Sequence, residues 1–240
     1  MRDFDKEFKE TSTKYFYGFD LMMHNYTIET FRPFVVPGKS LELGSYKGEF
    51  TKKLMTLSAI DSMDCVEGSA EAIAQSPVLP NVKYINGLFE TVTLDSKYDN
   101  VFMTHVLEHL DDPVAVLSRV KEEWLLPNGR LFIEVPNANA PSRQIAVEMG
   151  LIPLTTAVTP AEKEHGHTRT YNLETLRIDA IKAGLKVVHS GGVFFKALAN
   201  FQWDKAVEAN VVSQQYLDAS YQLGKRYPDL CSSIYLVCEK

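Results

Sequence analysis

The sequence is poor in cysteine, and it has no block of basic residues and no long apolar run. Its three cysteines, Cys65, Cys231 and Cys238, form no Cys-x-x-Cys pair and no disulfide framework, so buried thiols in a reducing compartment are expected. A net charge of −6 disfavours a general nucleic-acid binder, which needs a concentrated cationic face. The N-terminus is too polar and acidic for a signal peptide, and no run approaches the about 20 apolar residues of a membrane span. We therefore expect a cytoplasmic protein with no membrane span and no stable nucleic-acid binding.

The 240 residues suffice for one α/β domain with additions. Short apolar runs alternate with helical patterns, which predicts a mainly parallel sheet with right-handed crossovers. Strands are expected at Ser40–Leu43, Met63–Glu67, Val82–Asn86, Asn100–Met103, Gly129–Val135, Leu185–Ser190 and Ser233–Cys238. Helices are expected at Lys47–Leu57, Ala70–Gln75, Pro113–Trp124 and Leu173–Ala183.

Three segments lie outside this alternation. Residues 1–37 are predicted to form a helical extension, because apolar residues that include Phe4, Phe8, Tyr15 and Phe19 recur at loosely helical spacing. Packing is the expected role of this stripe, although such a helix can also cover a cofactor. Residues 136–171 are a polar, proline-containing stretch, and residues 191–232 are partly helical from Leu198 to Lys225. Long insertions in compact domains are usually functional, so we interpret 38–135 as a cofactor-binding core and 136–171 as a lid over the substrate.

The stretch SLELGSYKGEFTKKL combines a strand, a glycine turn and a helix, which is how doubly wound sheets hold a phosphate or a cofactor. Gly44 and Gly48 permit a tight turn and close backbone approach. An NAD-dependent oxidoreductase is the less favoured alternative, because Tyr46 replaces the middle glycine of a dinucleotide turn. The stretch also lacks the Gly-Lys-Ser/Thr sequence of a phosphate-binding loop. Glu42 lies inside the strand and suits a cofactor with a cationic amino group.

This stretch resembles motif I of the class I S-adenosylmethionine-dependent methyltransferases. The segment VLEHLDDPVAVL and the later Pro-Asn-Gly turn resemble motifs IV to VI, so the likeness covers about residues 38–137. It is closest to the broad group that contains ubiquinone-biosynthesis O-methyltransferases and related small-molecule enzymes. The resemblance implies a Rossmann-like, seven-stranded sheet with helices on both faces and the last strand inserted antiparallel between the fifth and sixth. It also implies S-adenosylmethionine as cofactor and a small-molecule acceptor, methylated on oxygen or nitrogen.

The resemblance and the strand ends together predict the cofactor-binding residues. Glu67, at the tip of the second strand, is expected to accept hydrogen bonds from the ribose hydroxyls, beside Gly68 and Ser69. Leu88 and Phe89 occupy the loop that wraps the adenine, where Leu88 replaces the usual aspartate. The other predicted cofactor-binding residues are Glu42, Gly44, Ser45, Tyr46, Gly48, Thr104 and His105.

Two histidines are predicted to act in catalysis. If the acceptor is a hydroxyl, His105 at the tip of the fourth strand or His167 in the later insertion can take its proton, whereas a nitrogen or carbon nucleophile needs no base. His165, Arg169 and Tyr171 are predicted to bind the acceptor, because arginine grips phosphate or carboxylate bidentately and these residues lie in the same insertion. The alternative is a polar loop whose histidines contact the backbone.

Metal binding and non-catalytic binding are the remaining alternatives. The pair His165-x-His167 could bind a metal, but the sequence shows no third ligand. Glu108 and His109 are expected to cap a helix and pack on the sheet, although some ubiquinone-type relatives bind a divalent metal at this Glu-His pair. No metal site is therefore predicted. A regulatory protein that binds S-adenosylmethionine without turnover is the alternative function, and a homodimer is left open.

Overall fold

The computed structural model describes residues 4–11 and 18–240, so Tyr15 of the predicted extension lies outside the described residues. A seven-stranded sheet in the order β3-β2-β1-β4-β5-β7-β6 forms its centre. The strands are β1 (Gly38–Leu43), β2 (Ile60–Glu67), β3 (Val82–Asn86), β4 (Tyr98–Thr104), β5 (Leu125–Pro136), β6 (Lys186–Phe195) and β7 (Cys231–Glu239). Only β7 runs antiparallel to its neighbours, β5 and β6. The predicted Rossmann-like sheet and its antiparallel last strand are confirmed.

The helices connect and flank these strands. They are α1 (Phe4–Thr11), α2 (Gly18–Phe31), α3 (Glu49–Leu54), α4 (Ala70–Ala74), α5 (Pro113–Arg119), α6 (Pro141–Glu148), α7 (Pro160–Glu164), α8 (Leu173–Lys182), α9 (Asn200–Glu208) and α10 (Gln214–Arg226). Helix α5 continues as a π-helical turn, Val120–Trp124. Among the described residues, no helix is both long enough and apolar enough to cross a membrane.

Six of the seven strands are longer than predicted, and β5 and β6 differ most from their predicted ranges. β5 begins at Leu125, because Leu125 already pairs with Tyr98 of β4 before the Pro-Asn-Gly turn interrupts the register. β6 continues to Phe195, although Gly191 and Gly192 suggest a strand end. Both glycines pair with β7, and a Cβ on Gly191 would approach the ring of Tyr235 to 2.8 Å. Close packing therefore explains these glycines, and the helical insertion begins after β6 rather than at residue 191.

Apolar side chains fill both faces of the sheet. Along β4, Val101 and Met103 belong to the face covered by α5 and α8, whereas Phe102 belongs to the opposite face. Phe102 stacks on Phe132 with ring centroids 4.7 Å apart, and Phe31 of α2 packs on Phe132 at 5.0 Å. Each such buried aromatic side chain contributes about 1.5–3 kcal/mol. The predicted packing role of the apolar stripe is thus met by α2.

The topology positions the site at one edge of the sheet. Strands β1, β2, β4, β5 and β6 point the same way, so their carboxyl ends share an edge. The strand order reverses between β1 and β4, and doubly wound sheets bind ligands outside the carboxyl ends at this switch point.

Candidate active site

The turn between β1 and α3 is built on left-handed backbone. The φ angles of Gly44, Tyr46 and Gly48 are 81°, 48° and 73°. A Cβ on Gly44 would lie 2.7 Å from the Val106 side chain, and one on Gly48 would lie 2.6 Å from the hydroxyl of Tyr84. Glycine is therefore required at both positions by conformation and by space. The turn that the sequence predicts is present.

The Glu67 carboxylate joins this turn to the loop after β2. Its Oε2 accepts a hydrogen bond from the Tyr46 N–H at 2.9 Å, and its Oε1 accepts one from the Ser69 N–H at 2.9 Å. Burial raises the pKa of Glu67 despite these backbone bonds. Each carboxylate oxygen retains a second lone pair, so Glu67 can hold the two loops and still accept bonds from a ligand.

Glu42 lies beneath the turn and not at its open side. Glu42 is only 3% exposed. Its Oε2 accepts hydrogen bonds from Thr51 Oγ1 at 2.5 Å and from Cys65 Sγ at 3.7 Å. Burial raises the pKa of Glu42 to about 7. The described contacts of Glu42 are thus internal, and its interaction with a cofactor amino group, directly or through water, stays a prediction.

The predicted adenine loop uses its carbonyl groups internally. The Leu88 carbonyl accepts a hydrogen bond from the Val92 N–H at 2.8 Å, and the Phe89 carbonyl accepts one from Arg119 Nη1 at 2.5 Å. The Phe89 ring lies 3.8 Å from the position that a Cβ on Gly44 would take. These contacts therefore favour apolar contact of Leu88 and Phe89 with the adenine over hydrogen bonds to their carbonyl groups.

His105 lies at the end of β4 between two buried carboxylates. Its φ of 55° is unusual for a non-glycine residue and is typical of functional positions. Nδ1 is 3.4 Å from Glu108 Oε1, and Nε2 is 3.9 Å from Glu134 Oε1. The His105 side chain is 40% exposed, and the neighbouring carboxylates of Glu108 and Glu134 raise its pKa to about 9. These carboxylates favour the imidazolium form of His105 at neutral pH, and the neutral form is a prediction for the protein with bound S-adenosylmethionine.

Glu134 is a site residue that the sequence analysis does not single out. It is 1% exposed, and Thr27 of α2 donates a 3.2 Å hydrogen bond to its Oε1. The signal was present in the sequence, because Glu134 interrupts the apolar run of β5 just as Glu42 interrupts that of β1.

His167 reaches the same edge through the neighbouring Thr168. The Thr168 N–H donates to the Glu108 carbonyl at 2.8 Å, which brings the insertion against the loop after β4. The His167 ring then meets the His109 ring edge to face, with centroids 4.6 Å apart. Burial lowers the pKa of His167 to about 4, so this imidazole is neutral at pH 7.

The three residues predicted to bind the acceptor have other partners or positions. Arg169 donates to the backbone carbonyls of residues 110–111 at 2.8 and 2.9 Å, which makes it a link between two loops. Tyr171 is 3% exposed, and its hydroxyl donates to Asp179 Oδ2 at 3.1 Å. His165 ends α7. These contacts do not support acceptor-binding roles for Arg169 and Tyr171.

The structure groups His167 with two residues of the loop after β4 and not with His165 of the His-x-His pattern. Ligand atoms of Glu108, His109 and His167 lie within 4.8 Å of one another. A carboxylate and two imidazoles are a donor set that divalent transition-metal ions accept. The sequence alone could not bring these residues together, because His167 belongs to a different segment. The predicted absence of a metal site stays a prediction.

A cleft of about 580 Å³ opens between α1 and the insertion. Its lining includes Glu7, Asp111, Lys163, Gly166 and His167. This volume falls within the range of small-molecule sites, roughly 300–1,000 Å³. His167 lies both in the lining of the cleft and beside Glu108, so the cleft adjoins the cluster at the end of β4.

Residues 19–190 match the methyltransferase domain family. The chain belongs to this family. The family assignment from the sequence is thereby confirmed, and S-adenosylmethionine is the cofactor that goes with it. The search of curated proteins finds no match to this sequence.

Several solved structures share the fold of this chain. A Thermotoga maritima protein, described as a possible histamine N-methyltransferase, is 14% identical over 99% of this chain and 100% of its own, with a TM-score of 0.64. The plantazolicin methyltransferase BamL, solved with S-adenosylhomocysteine, is 17% identical over 97% and 88%, with a TM-score of 0.61. The [4+2]-cyclase SpnF is 13% identical over 92% and 80%, with a TM-score of 0.59. Identities this low establish the fold alone, and the cyclase illustrates that chemistry is decided by the site.

Two buried hydroxyl groups at the carboxyl edge of the sheet are available to a polar ligand. Ser45 Oγ and Thr104 Oγ1 are buried and have no hydrogen-bond partner among the described residues. Buried hydroxyls are nearly always hydrogen-bonded, so these two offer bonds to a polar ligand. Beside them, Gly44 is partly exposed.

Proposed function

We propose that the protein transfers a methyl group from S-adenosylmethionine to an oxygen or nitrogen of a small-molecule acceptor. The observation that carries this proposal is the meeting, at one sheet edge, of the glycine turn held by Glu67 with the His105 cluster and the adjoining cleft. The cofactor supplies an electrophilic methyl group on its sulfonium. The protein then has to bind both reactants, align the nucleophile behind the methyl group and exclude water.

The proposed cofactor contacts follow the edge of the sheet. Glu67, with Gly68 and Ser69, binds the ribose, and the side chains of Leu88 and Phe89 cover the adenine. Thr104 and His105 lie towards the methionine end. The turn that receives the rest of the cofactor consists of Gly44, Ser45, Tyr46 and Gly48, with Glu42 supporting it from beneath.

His167 is the favoured base for a hydroxyl acceptor. It is neutral at pH 7 and lines the cleft, whereas the carboxylates of Glu108 and Glu134 stabilise the protonated form of His105. His105 is the alternative base, because the positive charge of a bound sulfonium lowers the pKa of a nearby imidazole. In either case the proton passes from the acceptor oxygen to an imidazole nitrogen.

The insertion over residues 136–171 is proposed to cover the acceptor. Lys163, Gly166 and His167 from this segment line the cleft, and Thr168 fixes the segment to the loop after β4. Acceptor specificity then depends on side chains that are not part of the cofactor edge. A cytoplasmic location remains proposed, and the three buried free cysteines support it.

Two measurements test the proposed function. Calorimetric titration should show binding of S-adenosylmethionine and S-adenosylhomocysteine and no binding of NAD. Incubation with S-adenosylmethionine and a panel of small hydroxyl and amine compounds should then yield S-adenosylhomocysteine, detected by mass spectrometry. Tight cofactor binding without turnover on any acceptor favours the non-catalytic alternative, and absence of binding contradicts both.

A further inference from the structure

Helix α1 lies directly on the loops that hold the cofactor. Phe8 is 4% exposed, and its ring centroid is 5.4 Å from that of Tyr46 in the glycine turn. The ring of Phe4 covers Gly68, because a Cβ on Gly68 would come within 3.0 Å of it. The two aromatic side chains of one short helix therefore contact both the β1 loop and the β2 loop.

Polar contacts fix the same helix to the start of α4. Asp5 Oδ1 accepts hydrogen bonds from Ser69 Oγ at 2.7 Å and from the Glu71 N–H at 3.1 Å. Lys9 Nζ is 2.6 Å from Glu71 Oε1, which adds an ion pair at the next turn of α1. Asp5 and Ser69 together serve the N-terminus of α4, so the loop after β2 depends on a residue of α1 for part of its hydrogen bonding.

The same helix also reaches the acceptor side. Glu7 lines the cleft that His167 lines from the opposite segment. Helix α1 lies outside residues 19–190, over which the chain matches its family. Its contacts concern both the cofactor loops and the cleft.

We infer that α1 is part of the active site and that Asp5 and Phe8 are positioning residues for the cofactor. Phe8 supports Tyr46, whose backbone is left-handed and whose N–H binds Glu67. Asp5 holds Ser69, whose N–H binds the other oxygen of Glu67. Both residues therefore act on the ribose-binding carboxylate through its two backbone partners, and the helix retains the bound cofactor. The inference rests on the proposed function for the identity of that cofactor.

The test is a measurement of both rate constants for S-adenosylhomocysteine by surface plasmon resonance. The variants are Phe8→Ala and Asp5→Asn, and the control is Glu10→Gln, whose side chain is 64% exposed on the same helix. An aromatic pair contributes about 0.5–1.5 kcal/mol and affinity differences lie mostly in dissociation, so the Phe8→Ala dissociation rate should rise up to about tenfold. Association should change by less than about threefold. Phe8→Tyr should restore slow dissociation, which a loss of general stability would not explain.

The dissociation rates of the α1 variants decide whether this helix acts on the bound cofactor. Unchanged dissociation in both Phe8→Ala and Asp5→Asn overturns it. Faster association with unchanged dissociation also overturns it, because α1 would then obstruct the cofactor. If thermal unfolding shows that Phe8→Ala is not folded, Phe8→Leu and Asp5→Glu provide the same comparison with smaller changes. A wild-type protein that does not bind S-adenosylhomocysteine refutes the proposed function itself, whereas wild-type binding with unaffected variants refutes only the role of α1.

Discussion

The backbone N–H of Tyr46 donates a 2.9 Å hydrogen bond to Glu67, and this bond joins the turn after β1 to the end of β2. The second carboxylate oxygen of Glu67 binds the Ser69 N–H, so one side chain fixes two loops at the switch point of the sheet. Glu67 therefore shapes the site as well as offering contacts to a ligand. A change at Glu67 should affect binding through both effects.

Glu67→Ala should weaken binding of S-adenosylhomocysteine by roughly 1–3 kcal/mol, the usual loss for a charged hydrogen-bond partner. The measurement is calorimetric titration of folded protein. Asp61→Asn is the matched control, because Asp61 lies on the same strand at its opposite end and is exposed. Unchanged affinity in a folded Glu67→Ala protein would exclude the ribose role.

Gly44→Ala should lower both stability and cofactor affinity, whereas Gly150→Ala should lower stability alone. Both glycines have left-handed φ angles, 81° and 70°, so each alanine costs about 1–2 kcal/mol of backbone strain. The Cβ added at Gly44 would lie 2.7 Å from the Val106 side chain, whereas the Cβ added at Gly150 would have no atom within 4 Å. Thermal unfolding and S-adenosylhomocysteine titration of the two variants separate strain from site geometry. Equal cofactor affinity in both variants would contradict the role of the Gly44 turn.

Glu42→Gln should change how stability depends on pH. Burial raises the pKa of Glu42 from 4.5 to about 7, so between these values the folded state keeps a proton that the unfolded chain releases. The free energy of unfolding contributed by Glu42 therefore falls as pH rises through this window. Relative to Glu42→Gln, the wild type should lose on the order of 2–3 kcal/mol between pH 5 and pH 8 in denaturant unfolding. Glu49→Gln, at an exposed position of α3, should behave like the wild type, and parallel pH profiles for all three proteins would refute the prediction.

Replacement of the true base by glutamine should lower turnover on a hydroxyl acceptor by about 10²–10⁴-fold and leave cofactor affinity nearly intact. The variants are His167→Gln and His105→Gln, and His189→Gln, at an exposed position of β6, is the control. Treatment of the wild type with a chelator is a second arm, because His167 lies with Glu108 and His109 in a potential metal-binding group. Loss of turnover on chelation would assign His167 to a metal rather than to proton transfer. Full activity of both histidine variants would leave proximity as the main source of rate.

The sequence by itself determined the features that depend on local backbone and burial. Gly44 and Gly48 predict the turn because their left-handed conformations disfavour other residues, and the alternation of apolar runs with helical patterns predicts the parallel sheet. The placement of Glu67 also followed, because a strand end has a known position in such a sheet. These predictions need no knowledge of which distant segments meet.

The tertiary structure alone decided which partners the polar side chains find. Arg169 and Tyr171 have the chemistry to bind an acceptor, yet the chain path places carbonyl oxygens beside one and Asp179 beside the other. His167 becomes part of a cluster with Glu108 because Thr168 binds the backbone of the loop after β4. The position of Phe8 on Tyr46 likewise follows from how α1 packs. Such contacts join segments far apart in sequence, and neither residue type nor spacing encodes the distances between them.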